Sequence, residues 1–349
     1  MTLFKHPFRS LILSSVLALT LSSCSYSGVG RENRIIERTE PAMGTIVTIK
    51  VSVAPGESEA TARDAIGLAM AEIGRVESLF SAYREDSQVA KLNRARPNEA
   101  VKIDPEVFGL IKRSVGYSKD TYGAFDITVK PLVDLWKLAK ASGILPSEKD
   151  IREAMVRVGS EKIVLDDKAK TVSFTVGGMS IDMSGVAKGY ATDRAVKILR
   201  DNGVRNAIVD SGGDMYCLGK RNPTGQWVVG IQHPRDRGRI LYKIEIENEG
   251  IDTSGDYEKY FMIGGKRYSH IIDPRTGFPI GDDVVSATVI AKDSETADAY
   301  ATAFCVLGEA GMGIMDKKGL KGVTIRNNNG AISVEMSKGL KVRGDKIEK

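Results

Sequence analysis

Three strand–turn–strand patterns constrain this chain more than any other feature of it. Lys162–Leu165 and Thr171–Val176 flank the polar run Asp166–Lys170, residues 258–271 reverse at Gly264-Gly265, and a final pair turns at Asn327-Asn328-Asn329-Gly330. Such turn residues tolerate the positive φ that tight hairpins require. Around them, alternation and short apolar runs predict strands at 46–53, 205–209, 214–218, 226–232, 238–246 and 284–290, and Arg38–Thr45 separates the first of these from another β-rich run that starts at Ile35. Helices are inserted between these blocks. Ala65, Ile66, Ala69, Ile73, Val76 and Leu79 recur at near-helical spacing within 57–80, and shorter helical patterns occupy 105–118, 130–141, 148–157, 187–200 and 294–307, with a short helix after the last. Meandering strands with inserted helices predict an α+β fold of mixed or antiparallel sheets, not a doubly wound parallel one.

The amino terminus sets the compartment. Lys5 and Arg9 precede an apolar core from Leu11 to Leu21, and Leu21-Ser22-Ser23-Cys24 closes it, the pattern of a secretory signal. The apolar run is shorter than the ~20 residues a spanning helix needs. Its last four residues resemble a bacterial lipobox. That resemblance implies cleavage of residues 1–23, acylation of Cys24 and a protein held by lipid at the periplasmic face of the cell envelope, with Ser25 favouring the outer membrane. Residues 24–35 are expected to be a tether, and 36–340 the working domain. Cleavage leaves 326 of the 349 residues, enough to bury a core without staples, and lowers the formal charge from +5 to +3. Basic and acidic residues are interspersed, which argues against nucleic acid as a partner. Cys217 and Cys305 are expected to be buried free thiols.

Absent motifs narrow the chemistry. No Gly-x-Gly-x-x-Gly follows a strand, and there is no Walker-type loop, Gly-x-Ser-x-Gly elbow or Ser-x-x-Lys. His6 lies in the leader, which leaves His233 and His270, and there is no Cys-x-x-Cys; any metal should therefore be hard and oxygen-bound. His270 opens the polar, turn-forming run His270-Ile271-Ile272-Asp273-Pro274-Arg275-Thr276-Gly277. Ser180–Asp193 puts Asp182 on an expected strand end and Lys188 in the first turn of a helix, with Gly185 between them. It is either a phosphate site on free amides or an ordinary strand-to-helix turn capped by a serine. Asp298 and Thr302 stand four apart on a helix and share a face, which is either solvated or suited to magnesium. Gly123–Thr128 could present exposed backbone beside Phe125 and Asp126 to grip a flat ring, or it could pack as a loop. Asp210–Asp214 reads as a tight bend around a glycine pair.

Together and in this order, these segments resemble the FAD:protein FMN transferases, the ApbE family of flavin-trafficking lipoproteins. The likeness runs from Met43-Gly44-Thr45 through Phe80–Ser87, Leu92-Asn93, Gly123–Asp126, Asp182–Asp193, Gly212-Gly213-Asp214, Trp227–Pro234, Thr253–Tyr257 and His270–Gly277 to Asp298 and Thr302. It implies a T-fold-like architecture with FAD in a crevice, contacted at Met43, Tyr83, Ala124, Phe125, Asp126, Asp182, Lys188 and Ile272. It also implies Mg²⁺ at the pyrophosphate, held by the Asp298 and Thr302 side chains and the Gly185 carbonyl. Met183-Ser184 stands where many relatives have Leu-Gly, and Ser211 where another glycine is common. Ser184 therefore bears on the backbone beside the expected metal carbonyl.

The implied reaction is attack by a threonine hydroxyl of an acceptor protein on the FMN-side phosphorus of FAD, which esterifies FMN to the threonine and releases AMP. A hydroxyl needs a base, and the ordinary pKa of ~6.5 of a histidine suits His270 to the task. Magnesium, with Lys188 nearby, is expected to meet the charge on the leaving phosphate. The implied acceptors are membrane or secreted redox and electron-transport subunits. Two rival functions use the same residues: an Mg²⁺-dependent FAD pyrophosphatase with water as acceptor, and a flavin-binding lipoprotein without turnover.

Overall fold

The computed structural model describes residues 33–343 apart from 258 and 329. The leader, Cys24 and most of the expected tether lie outside the described residues. The chain begins with a hairpin of β1 (Arg34–Ala42) and β2 (Thr45–Val53), then forms α1 (Glu59–Phe80), the short α2 (Gln88–Asn93), β3 (Val101–Lys102) and α3 (Pro105–Asp120). Helices α4 (Lys130–Ser142) and α5 (Glu148–Met155) precede β4 (Ile163–Asp166), β5 (Thr171–Phe174) and α6 (Ala187–Asp201). Next come β6 (Ala207–Ser211), β7 (Met215–Leu218), the hairpin β8 (Trp227–His233) and β9 (Asp236–Ile246), and β10 (Glu249–Gly255). The ribbon β11 (Tyr260–Ile263) and β12 (Lys266–Ser269) leads to β13 (Val284–Ala291), α7 (Ser294–Leu307), α8 (Glu309–Lys318), β14 (Lys321–Asn328) and β15 (Ala331–Met336). Among these helices none is long and apolar enough to cross a membrane.

Eight strands make one sheet in the order β1-β2-β6-β7-β10-β13-β14-β15, with every neighbouring pair antiparallel. This is the expected α+β class. The period of two sends Val47, Ile49, Val51, Val209, Ala287 and Val289 to a core shared with α1, α6 and α7. Ile251, Ile290, Val323 and Ile325 join a second core under Trp227, Val229 and Ile244 of the β8–β9 hairpin. A third cluster sets Leu132 and Trp136 of α4 and Ile151 of α5 against Ile263 and Ile272. Helix α1 shows why its sequence is helical. Ser58 accepts the Thr61 N–H as N-cap, and Ala62, Ala65, Ile66, Ala69, Ile73, Val76 and Phe80 form one buried stripe.

Four elements differ from expectation. α2, β3 and β10 have no counterpart among the predicted elements, and Ser180–Asp182 is not a strand. The last segment is held by side chains instead of a ladder. The Asn93 amide accepts from the Ile181 N–H at 2.7 Å and donates to the Ile181 carbonyl at 2.9 Å, and the Asp182 N–H donates to the Ile127 carbonyl at 2.7 Å. Its backbone polar groups thus have partners that no strand pattern anticipates.

Candidate active site

Helix α7 is fixed at its start by two carboxylates. Asp293 accepts the Thr296 N–H at 2.8 Å, and Asp193 on α6 accepts those of Ser294 and Glu295, each at 2.9 Å. These satisfy amides that a helix leaves without partners. Strand β10 runs alongside. Two residues of strand advance about 6.6 Å and four residues of helix about 6 Å, so Asp252 and Ser254 come level with Asp298 and Thr302. Ser254 Oγ lies 3.4 Å from Thr302 Oγ1, and one carboxylate oxygen each from Asp214, Asp252 and Asp298 lie within 4.8 Å of one another. The close approach of α6 depends on Gly189. A Cβ there would sit 2.2 Å from the Ser294 carbonyl oxygen, and the Gly189 N–H donates to Asp298 Oδ2 at 3.1 Å.

Lys188 pairs with Asp214 inside this cluster. Burial alone would lower the lysine pKa, but Asp214, Asp298 and Asp252 together raise it above its ordinary value. Burial, with Asp214 next in weight, pushes the Asp252 and Asp298 carboxyls well above the usual range. Asp214 Oδ1 and Asp252 Oδ2 are buried with no partner. With all three ionised, the carboxylates facing one ammonium would leave two negative charges, and all the free donors are oxygens, so the residues suit a hard divalent cation whose charge would offset the cost that raises their pKa. Gly185 completes the set. Its missing Cβ would stand 3.4 Å from Thr302 Oγ1 and 3.3 Å from the Phe125 ring, so its backbone lies beside the threonine.

A second group of residues lines up through Asp182. The Tyr83 hydroxyl donates to Asp182 Oδ2 at 2.7 Å, Ser184 N–H donates to Oδ1 at 2.9 Å, and Lys137 donates to the Tyr83 oxygen with its ammonium 4.1 Å from the ring centre. Tyr83 is exposed, with the Lys130 ammonium also over its ring at 5.4 Å. Met43 sits in the β1–β2 turn at φ 54° with its N–H on Glu77 at 3.0 Å. Ile272 is buried and bridges to Pro279.

His270 follows β12. Its backbone N–H donates to the Lys259 carbonyl at 3.1 Å, and Nδ1 lies 2.8 Å from the same oxygen. That contact selects the tautomer with the proton on Nδ1 and leaves the lone pair on Nε2. The ring keeps exposed surface, yet desolvation by its neighbours, with the Lys259 and Lys188 charges adding to it, lowers its pKa to about 4. The residue is exposed while desolvation favours the neutral ring at neutral pH, with its lone pair on Nε2.

The ApbE family model matches residues 43–324 of the 349. The chain belongs to the ApbE family. A Haemophilus influenzae protein called FAD:protein FMN transferase is 31% identical over 335 residues, spanning 93% of this chain and 95% of that protein. A Vibrio cholerae protein of the same name is 33% identical over 77% of this chain and 80% of its own length. Among solved structures, the ApbE protein of Thermotoga maritima superposes with a TM-score of 0.79 at 34% identity, covering 87% of this chain and 97% of its own. The Vibrio cholerae flavin transferase ApbE gives 0.78 at 29% identity, covering 88% and 98%.

For this ApbE family member the structure brings Gly185, Lys188, Asp298 and Thr302 together and Tyr83 onto Asp182, while placing other expected residues differently. Gly123–Thr128 is packed, not exposed: Ala124, Phe125 and Asp126 are buried. The Asp126 carboxylate is engaged by Ser118 Oγ, the Thr128 N–H and Oγ1 and the Ser160 N–H, so its side chain holds the loop. Ser184 does not cap α6, whose start has no side-chain cap. The Asp298 face of α7 is not solvated, since Asp298 is 2% exposed. The bend at Gly212-Gly213 is as expected, with φ of 72° and 104°, but it delivers Asp214 into the cluster. Sequence reasoning gave neither Asp214 nor Asp252 a place among the metal-binding residues. The alternation Ile251, Asp252, Thr253, Ser254 was the available signal for β10, and the polar residues on its face toward α7 concealed it.

Proposed function

We propose that this chain transfers the FMN half of FAD to a threonine of an acceptor protein and releases AMP. The observation that carries the reading is an exposed histidine whose tautomer is set by the Lys259 carbonyl, in a chain whose buried oxygen cluster suits a divalent cation. In the proposed step the threonine oxygen forms a bond to the FMN-side phosphorus, the pyrophosphate P–O bond breaks toward AMP, and the hydroxyl proton moves to His270 Nε2. Magnesium, when bound by Asp298, Thr302 and the Gly185 carbonyl, would supply charge neutralisation at the phosphates. Lys188 holds an ammonium beside that position, anchored by Asp214. Tyr83, oriented by Asp182 and Lys137, offers a ring for the flavin or adenine to stack on. The acceptors fitting an envelope enzyme are membrane or secreted redox subunits. Cleavage before Cys24 and its acylation would hold the mature chain at the periplasmic face; loss of lipid labelling in Cys24→Ser tests that anchor.

Incubating the mature protein with FAD, Mg²⁺ and a threonine-bearing redox subunit tests the reading. Flavin fluorescence on the acceptor band, with stoichiometric AMP, is expected; it should disappear on chelation and fall roughly a thousandfold in Asp298→Ala, the scale of losing several kcal/mol of charge stabilisation. Free FMN alone would make the protein a pyrophosphatase, and no AMP at all would make it a flavin-binding protein.

A further inference from the structure

The route by which an acceptor reaches His270 is set by the ribbon that ends at it. Among the described residues β11 and β12 pair only with each other. Gly264 and Gly265 have φ of 57° and 77°, so the two-residue turn is of the primed type and Ile263 and Lys266 form a hydrogen-bonded pair. Alternation fixes the rest. Phe261 and Tyr268 are then the next bonded pair inside the ribbon, and the His270 N–H on the Lys259 carbonyl just beyond it follows the same alternation. The N–H and C=O groups of Tyr260 and Met262 therefore point out from the other edge of β11, where these residues are 51% and 54% exposed. Helix α4 covers a face of the ribbon and not this edge, because Trp136 meets both Phe261 and Tyr268, at ring distances of 6.3 and 5.6 Å.

Charge marks one end of this edge. Lys259, whose carbonyl holds the His270 ring, and Lys130 lie near enough to Lys137 for their charges to act on it, against those of Asp182 and Asp134, so three lysines face two carboxylates there. An exposed strand edge is a template for a further strand, and a basic end favours an acidic one. We propose that the acceptor docks by adding an extended segment to the β11 edge, its backbone pairing with Tyr260 and Met262, and an acidic side chain beside its threonine meeting Lys259 and Lys137. This rests on the transferase reading above and specifies its protein substrate.

The test uses a synthetic peptide of alternating β-branched residues with one threonine next to an aspartate, and the mature enzyme with FAD and Mg²⁺. Met262→Pro removes an outward N–H that the ribbon itself does not use, and Met262→Ala keeps it. Peptide KM should rise about tenfold or more in Met262→Pro, the scale of roughly one lost hydrogen bond, while kcat, FAD affinity and Met262→Ala stay near wild type. Methylating the peptide's alternate amides should raise KM similarly on the unaltered enzyme, a version that leaves the protein fold untouched. Replacing the aspartate by lysine should weaken the peptide further. Wild-type KM for both Met262→Pro and the methylated peptide overturns strand addition while leaving the transferase reading intact. Release of AMP by the wild type with FMN on neither peptide nor acceptor protein overturns the transferase reading, and with it this proposal.

Discussion

The carboxylate cluster and the His270 ribbon, joined in the proposed reaction, are built in opposite ways. Around Asp298, helices α6 and α7 touch through Gly189, Asp193 clamps the start of α7, and Asp214 and Asp252 are buried within the protein. Around His270, a two-stranded ribbon stands apart from the main sheet, and a Cβ added to either of its turn glycines would meet no atom within 4 Å. The difference teaches where precision is needed. A cation site among like charges holds its geometry only if packing opposes repulsion, whereas a base that must meet a separate protein needs an open edge.

Substitutions should break the two regions differently. His270→Ala should have the largest effect on rate, a loss of roughly 10²–10⁴-fold with FAD affinity kept, because the ring is held by the Lys259 carbonyl and not by the carboxylate cluster. Flavinylation rate and FAD titration on the same variant check this; lost binding would make His270 part of the FAD cradle. Gly189→Ala should destabilise by about 3 kcal/mol, the upper range for overpacking, since its Cβ would meet the Ser294 carbonyl oxygen at 2.2 Å and Asp298 Cβ at 2.9 Å. Gly264→Ala meets no neighbour and carries only the left-handed penalty, about 1–2 kcal/mol. Thermal melts of the two variants compare the regions directly, and equal losses would show the ribbon to be as tightly built as the cluster.

The smallest effect is on pH dependence. Only neutral imidazole accepts a proton, and a pKa lowered from 6.5 to about 4 keeps His270 neutral well below pH 7. Transfer should therefore be nearly flat between roughly pH 6 and 8 and fall as pH approaches the depressed value. A sigmoid centred near the ordinary histidine value would mean that the ring is more hydrated than its surroundings imply.

Much of this molecule was legible in the sequence because its signals are local. The α7 boundaries, the stripe of α1 and the Gly264-Gly265 reversal follow from helical period, capping and turn chemistry within a few residues. The pairing of Asp298 with Thr302 on one face follows from helix geometry alone, and the order of the motifs identified the family. What only the tertiary structure decided involves partners distant along the chain. Asn93 replaces a strand ladder at Ile181, Asp126 turns inward to hold its own loop, and Asp214 and Asp252 meet Asp298 because antiparallel pairing places β10 between β7 and β13. Strand β10 was hidden for a physical reason: its face toward α7 carries Asp252 and Ser254 instead of apolar side chains, while Ile251 on the other face is buried in the second core. Sequence patterns assume that buried means apolar, and this site departs from that rule because it gathers charge inside the protein, where a cation can offset it.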